Sequence, residues 1–428
     1  MRRSVLAAAV CLLFAPGAPR AAEPPAQNEW LDMVQRVQAR VERVRGLAFK
    51  RPVKAELASV ERVRAYLQQV IAEQYAPGEL EREGLAMQAL GLFPAGLDYR
   101  TFLLELLQEQ VGGFYDPKAE VLYLADWMPA ASQESVMAHE LAHALQDQHF
   151  DLDRFQTRQA GRADAMLARS AVAEGEATLL MMLDATRELG LELDPAMLSL
   201  EGPLADLLFG LTAAQYPAMA RAPRAVRETL MFPYLHGLAF VSAIRARGGF
   251  EAIGRLYADL PESSEQILHP ERYFQARDAP TWVSLAALDG LAPEGWEMVF
   301  EEQLGEFMTR QLLQTALADR DEVARATDGW DGDLVRVYRR GGELGWLGLW
   351  VCDSDAHAIA LAGALARLVM ARRPAADLEP LSAATELGWR WPDGRVSRVL
   401  RRGPRVLALD GLPFEAAGRL QAAGLRQP

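Results

Sequence analysis

The chain has 428 residues, of which 50% are hydrophobic and 24% charged, and it carries a formal net charge of −13. That is enough chain for a sizeable core in one large domain with a smaller one. The acidic balance repels phosphate backbones and anionic lipid, so no nucleic-acid partner is expected, and no run beyond the N-terminal leader is long and uncharged enough to insert stably in a membrane.

Residues 1–22 have the anatomy of a secretory signal peptide. Arg2 and Arg3 precede an apolar run, Val5 to Phe14, which is too short to span a bilayer and ends at Pro16 and Gly17. Cleavage is expected between Gly17 and Ala22, with export to the periplasm or beyond a bacterial envelope. Processing removes Cys11, one of the chain's two cysteines. Cys352 is then a free thiol, and no intramolecular disulfide can form.

Residues 23–110 read as a mainly helical region. Leu31, Val34, Val37, Val41 and Val44 recur at helical spacing. "PVKAEL" alternates as a short strand, and Ser59 is placed to cap the helix "SVERVRAYLQQVIAEQY". "DYRTFLLELLQEQV" is a further helix. Then "GGFYDPKAEVLYLA" gives a Gly-Gly break, a turn at Asp116-Pro117 and a strand from Glu120 to Ala125.

A second region, residues 111–320, holds two long helices, "ASQESVMAHELAHALQDQHF" with Ser132 marking its start and "RADAMLARSAVAEGEATLLMMLDATREL" running through Gly175. Residues 195–232 are apolar and interrupted by proline, as in a helical insertion or lid. "YLHGLAFVSAIRARGG" and "FEAIGRLYADL" follow as helices. From 325 to 428 the strand patterns "DLVRVYRR", "WLGLWVC", "RVSRVLRRG" and "RVLALDG" flank one helix and predict a small α+β unit. The fold class expected is α+β, predominantly helical.

The chemistry concentrates in "HELAHALQDQHF", which contains three of the chain's six histidines. Residues four apart share a helix face, so His139 and His143 can offer nitrogens to one ion. Glu140 sits at the edge of that face, where it can reach a water on the metal without ligating the metal. A catalytic zinc takes three protein ligands and keeps one open position. His149 is too close to His143 on the same helix to be the third. "SAVAEGEAT" supplies Glu174 and Glu176, which point about 200° apart on a helix, so only one can face the ion. Small residues (Ser170, Ala171, Ala177, Thr178) surround Glu174 and permit close approach, whereas Val172, Leu179 and Leu180 surround Glu176. Glu174 is the expected third ligand and Glu176 the alternative.

"HELAH" followed 31 residues after His143 by a helical glutamate resembles the gluzincin zinc metallopeptidases. More narrowly, "GFYDPKAEVLYL", "HELAHALQDQHFDL" and "AVAEGEAT", with "QILHPERY" and "GWDGD" further on, are similar to a group of exported bacterial proteins built on that core. The resemblance implies a zincin-like core binding one Zn2+ per chain, and hydrolysis of a peptide or protein substrate with Glu140 as general base. It also implies that a strand just before the HExxH helix binds extended substrate at its edge, for which "EVLYL" is the candidate. Tyr234, His236 and His269 are candidate donors to the developing oxyanion, with Tyr115 an outsider; the resemblance favours Tyr234 and His269. Asp147 and Asp164 are candidate partners for the ligand imidazoles. The competing reading is a zincin-fold binding or assembly factor of the envelope that does not cut, against which the retention of Glu140 speaks.

Overall fold

Valines at helical spacing build the first layer. Helix α1 (Gln27–Arg45) buries Val34, Val37, Val41 and Val44, while Leu31 at the head of the stripe is left 49% exposed. The structure, a computed structural model, describes residues 2–3, 27–152, 154, 157–159, 161–188, 190, 216–290, 292, 294–372, 379–383 and 386–424. Most of the expected signal peptide, and residues 195–215 of the expected lid, lie outside the described residues.

Strand β1 (Lys54–Ala58) leads into α2 (Val60–Gln74), whose first turn is capped as expected by the Ser59 hydroxyl accepting from Arg62 N. Helices α3 (Glu79–Ala89) and α4 (Tyr99–Gln110) pack apolar faces into the same core. Strands β2 (Gly113–Asp116) and β3 (Val121–Ala125) complete a three-stranded sheet of order β1-β3-β2. This corrects the expected edge strand. "EVLYL" forms β3, which pairs with β1 in parallel on one side and with β2 antiparallel on the other, so its backbone groups are already taken. The open edge on the side of the HExxH helix belongs to β2, the short "GFYD" segment; no other strand pairs with it among the described residues.

Helix α5 (Ala130–Phe150) carries "HELAH". It starts at Pro129 instead of Ser132, and it is buried on nearly every side from Val136 to Gln146. It is a central helix, not an amphipathic one, so its polar residues must be satisfied inside the protein. Helix α6 (Ala163–Glu188) lies beside it and carries Glu174. After the short α7 (Pro217–Arg221), helix α8 (Arg224–Leu256) is broken at Gly248 and Gly249, as the sequence suggests.

The crossing of α6 and α8 depends on two glycines. A Cβ on Gly175 would stand 2.3 Å from the carbonyl of Gly237, and one on Gly237 would stand 2.2 Å from Ala171 O. Both obstacles are backbone and cannot rotate away. Gly175, read from sequence as a tolerated break, is what lets α8 come down onto α6 beside the ligand residue. Gly237→Ala is therefore expected to cost about 1–3 kcal/mol in denaturant unfolding, the usual penalty for overpacking a tight core.

Helices α9 (Ser264–Leu268) and α10 (Glu271–Phe274) lead to the C-terminal unit. Its strands are β4 (Glu297–Glu302), β5 (Trp330–Arg340), β6 (Glu343–Cys352), β7 (Glu379–Ala383), β8 (Glu386–Arg390), β9 (Arg395–Arg402) and β10 (Arg405–Pro413). They form an antiparallel sheet of order β4-β5-β6-β10-β9-β8-β7. Helices α11 (Gly305–Leu313), α12 (Arg320–Thr327), α13 (Asp355–Ala371) and α14 (Phe414–Gly424) accompany it. Strand β4 brings the sheet's start ahead of residue 325. Trp346, Trp350 and the free thiol of Cys352 are core, as expected.

The C-terminal unit is fastened to the start of α6. Asp333, the last residue of "GWDGD", accepts from the Leu304 and Gly305 amides at 2.9 Å each and from the Trp330 indole at 3.1 Å. Gly305 in turn sits against Asp164, where any Cβ would overlap the carboxyl group, and Asp164 accepts from Ser264 N at 3.0 Å. Burial raises Asp164 to about 8 despite the Ser264 hydrogen bonds, and raises Asp333 to about 7 against its three donors. These folded values exceed the unfolded one of about 3.9. Their contribution to stability is complete below about pH 4 and is lost as pH rises through the folded values. Asp164→Asn, which stays neutral, is expected to gain stability over the parent at about pH 8.5 and none at about pH 4, read by urea unfolding at both.

Candidate metal centre

Two helices supply three donor atoms. His139 Nε2 lies 3.1 Å from His143 Nε2 and 3.1 Å from Glu174 Oε2, and His143 Nε2 lies 3.3 Å from the same oxygen. Ligands held about 2.0–2.2 Å from a tetrahedral ion stand about 3.3–3.6 Å apart. The observed triangle is a few tenths of an ångström tighter, so its two nitrogens and one oxygen fit zinc with little movement. All three side chains are buried, and Glu174 Oε1 and His139 Nδ1 find no hydrogen-bond partner among the described residues. An orphaned carboxylate oxygen at such a depth is costly unless a cation is there to use it.

The electrostatics point the same way. Burial alone would raise Glu174, but the charge of His143 and hydrogen bonds with both imidazoles outweigh it and hold the carboxyl down at about 2. Burial would likewise lower His143, and the Glu174 carboxylate overrides it and holds the imidazole at about 9. His139 is pushed down by burial more than Glu174 can raise it.

The ligand tautomer is set from outside the triangle. Gln146 Nε2 donates to Ala173 O at 3.0 Å and to Glu176 Oε2 at 3.1 Å, which turns its Oε1 toward His143 Nδ1 at 2.9 Å. An oxygen there requires the proton to be on Nδ1, leaving the Nε2 lone pair for the metal. Glu176 is thus no ligand. Its other oxygen is paired with Arg45 Nε at 2.5 Å, and the Tyr257 hydroxyl donates to Oε2 beside Gln146. Sequence reasoning missed this Arg45–Glu176–Gln146 chain, although Gln146 at three residues beyond His143 was a legible signal. Gln146→Leu is expected to weaken zinc binding by about 10–100-fold in a chelator competition while leaving the fold intact.

The remaining candidates separate cleanly. Glu140 is fully buried next to the ligands, and its Cγ is 3.4 Å from where a Cβ on Gly113 would be, so it lies directly under the open edge of β2. The Tyr234 ring stacks near that of His139, centroids 6.1 Å apart. His269, in contrast, contacts Glu306 at 3.1 Å and Arg310 at 3.4 Å. Glu306 follows Gly305, which rests on Asp164, and Asp164 is about 15 Å along α6 from Glu174. His269 is thus held by side chains of α11 and is not among the residues gathered at the donor triangle. His236 packs between Phe232 and Phe307 and is pushed down to about 4 by burial and by Arg310. Tyr115 donates to Asp147 at 3.1 Å, so neither that pair nor Asp164 serves a ligand imidazole.

Residues 95–186 match the Peptidase_M78 family model, the IrrE N-terminal-like domain, and residues 296–421 match a domain of unknown function, DUF8575. No curated protein and no solved structure matches the chain. The first match runs from just before α4 nearly to the end of α6, so it takes in Gly113, Glu140 and the whole donor triangle, while Tyr234 lies beyond it. The second covers the seven-stranded sheet. The chain carries a Peptidase_M78 metallopeptidase domain whose HExxH-type triad is His139, His143 and Glu174. Among the described residues no helix is long and apolar enough to cross a membrane.

Proposed function

We propose that the protein hydrolyses peptide bonds with a zinc ion held by His139, His143 and Glu174, Glu140 as general base and Tyr234 as donor to the substrate carbonyl oxygen. The observation that carries this reading is the donor triangle with Glu140 beside it, under an open strand edge. Zinc at that place supplies Lewis acidity, which polarises a carbonyl and acidifies water. Glu140 takes the proton of the attacking water and gives it to the amine nitrogen as the C–N bond breaks. Tyr234, whose ring lies beside that of His139, donates its hydroxyl proton in a hydrogen bond to the oxygen that gains charge.

The peptide is expected on β2. Ala125 N donates to Gly112 O at 2.9 Å, and antiparallel pairs alternate, so Gly113 and Tyr115 turn their N–H and C=O groups to the open edge. Gly113 sits over Glu140, which brings an edge-paired backbone to the base. We further propose export, on the strength of the leader's sequence. Digestion of an unfolded casein-type substrate by the zinc-loaded protein tests the activity. A zinc-loaded protein that leaves such substrates intact overturns the reading in favour of a binding or assembly role.

A further inference from the structure

Strand β2 meets the metal helix at two places, and the metal centre accounts for only the first. Gly113 rests over Glu140 of α5, whose Cγ is 3.4 Å from where a Cβ on that glycine would stand. Two residues on, Tyr115 turns to the same face of the strand. It packs in one apolar cluster with Leu141 and Leu145 of α5, and its hydroxyl donates to Asp147 at 3.1 Å. Asp147 lies two turns beyond Glu140 on the same face of α5, about 10 Å further along the axis. So β2 runs along α5 in the sense of the helix, touching it at Glu140 and again at Asp147.

The second contact is the one that can anchor the strand. Among the described residues β2 pairs with β3 along one edge and with no strand along the other. Gly113 has no side chain. Phe114 stacks with Tyr66 and Tyr123, centroids 4.0 and 4.8 Å apart, on the opposite face from Gly113 and Tyr115. The Asp116 carboxylate accepts from the Lys118 and Ala119 amides of its own turn. Among the described residues the Tyr115–Asp147 hydrogen bond is thus the side-chain link from β2 to α5. Burial and the Asp147 carboxylate hold the phenol well above its ordinary value, so it remains a donor at neutral pH.

The same residue offers its backbone to the open edge. The N–H and C=O of Tyr115 face outward with those of Gly113, one rung further along. The two rungs are about 7 Å apart. A peptide whose backbone pairs with Gly113 over Glu140 therefore reaches Tyr115 two residues further on.

We propose that Tyr115 is a positioning residue: its hydroxyl, fixed on Asp147, holds a second backbone rung in place over α5, and the substrate is an extended segment that reaches this rung. This rests on the peptidase reading above. A rung contributes two hydrogen bonds, so engaging it is expected to raise kcat/KM about 10-fold. The gain should appear chiefly as a lower KM, because ground state and transition state use the rung alike.

The test uses the zinc-loaded full chain and three peptides built around a bond that it cuts in unfolded casein. One is short and blocked at both ends, and the others are lengthened by two residues on the N-terminal or the C-terminal side. The wild type is expected to gain about 10-fold in kcat/KM from one of the two extensions. Tyr115→Phe, which keeps the ring, should cut that gain to below about 2-fold, as should Asp147→Leu, and the double variant should lose no more than either. Asp147→Asn, whose carbonyl oxygen still accepts, should keep most of the gain. A role in stability alone would slow short and long peptides in proportion and leave the gain intact, and that outcome overturns the proposal. A wild type that cuts all three peptides but gains from neither extension overturns it too, with the peptidase reading intact. A zinc-loaded wild type that cuts no bond in casein overturns the peptidase reading and the role of Tyr115 with it.

Discussion

Glu140→Gln is expected to keep its zinc and lose hydrolysis by about 10²–10⁴-fold, the usual worth of a positioned general base. Glutamine preserves the shape and the hydrogen-bonding capacity of the buried side chain, so the donor triangle next to it is undisturbed, but it cannot accept a proton. The three ligands do not include Glu140, and its neighbour Gly113 allows no side chain between it and the strand edge. Metal content by elemental analysis and turnover of one peptide, measured on the same preparation, check the prediction. Loss of zinc in this variant would make Glu140 a ligand or a support of one. Turnover at the wild-type rate would mean that another group takes the proton.

Much of this centre is legible in the sequence because it depends on helical period. His139 and His143 are four apart, and the choice of Glu174 over Glu176 followed from the size of the neighbouring side chains, a purely local property. The strand that meets the substrate was not legible in the same way. "EVLYL" has stronger strand propensity than "GFYD", yet propensity does not say which strand lies at an edge, and the pairing of β3 with residues 54–58 was decided by distant chain. The role of Gly175 was hidden for the same reason, since its counterpart Gly237 is far away in sequence. The partners of His269 were not legible either, because resemblance locates its segment but not its direction. Its partners Glu306 and Arg310 come from α11 and turn it toward the C-terminal unit.

Glu174→Ala and Glu176→Ala, two residues apart, should fail for opposite reasons. Glu174→Ala removes a ligand, so zinc and activity are both expected to disappear from a protein that still folds. Glu176→Ala leaves the three ligands in place but strands Arg45, whose side chain is 5% exposed, without its carboxylate. Leaving one member of a buried ion pair alone costs about 3–5 kcal/mol, so this variant is expected to be the less stable of the two in urea. It should also bind zinc about 10–100-fold more weakly, because Gln146 loses the acceptor that turns its oxygen to His143. A double variant separates the two effects. Arg45→Met with Glu176→Leu removes both charges and fills similar volume, which for buried pairs is commonly neutral or stabilising. Its stability should return to near the parent's while its zinc affinity stays low. Recovery of both together would mean that Glu176 serves the fold alone and that Gln146 holds the His143 tautomer through Ala173 O without help.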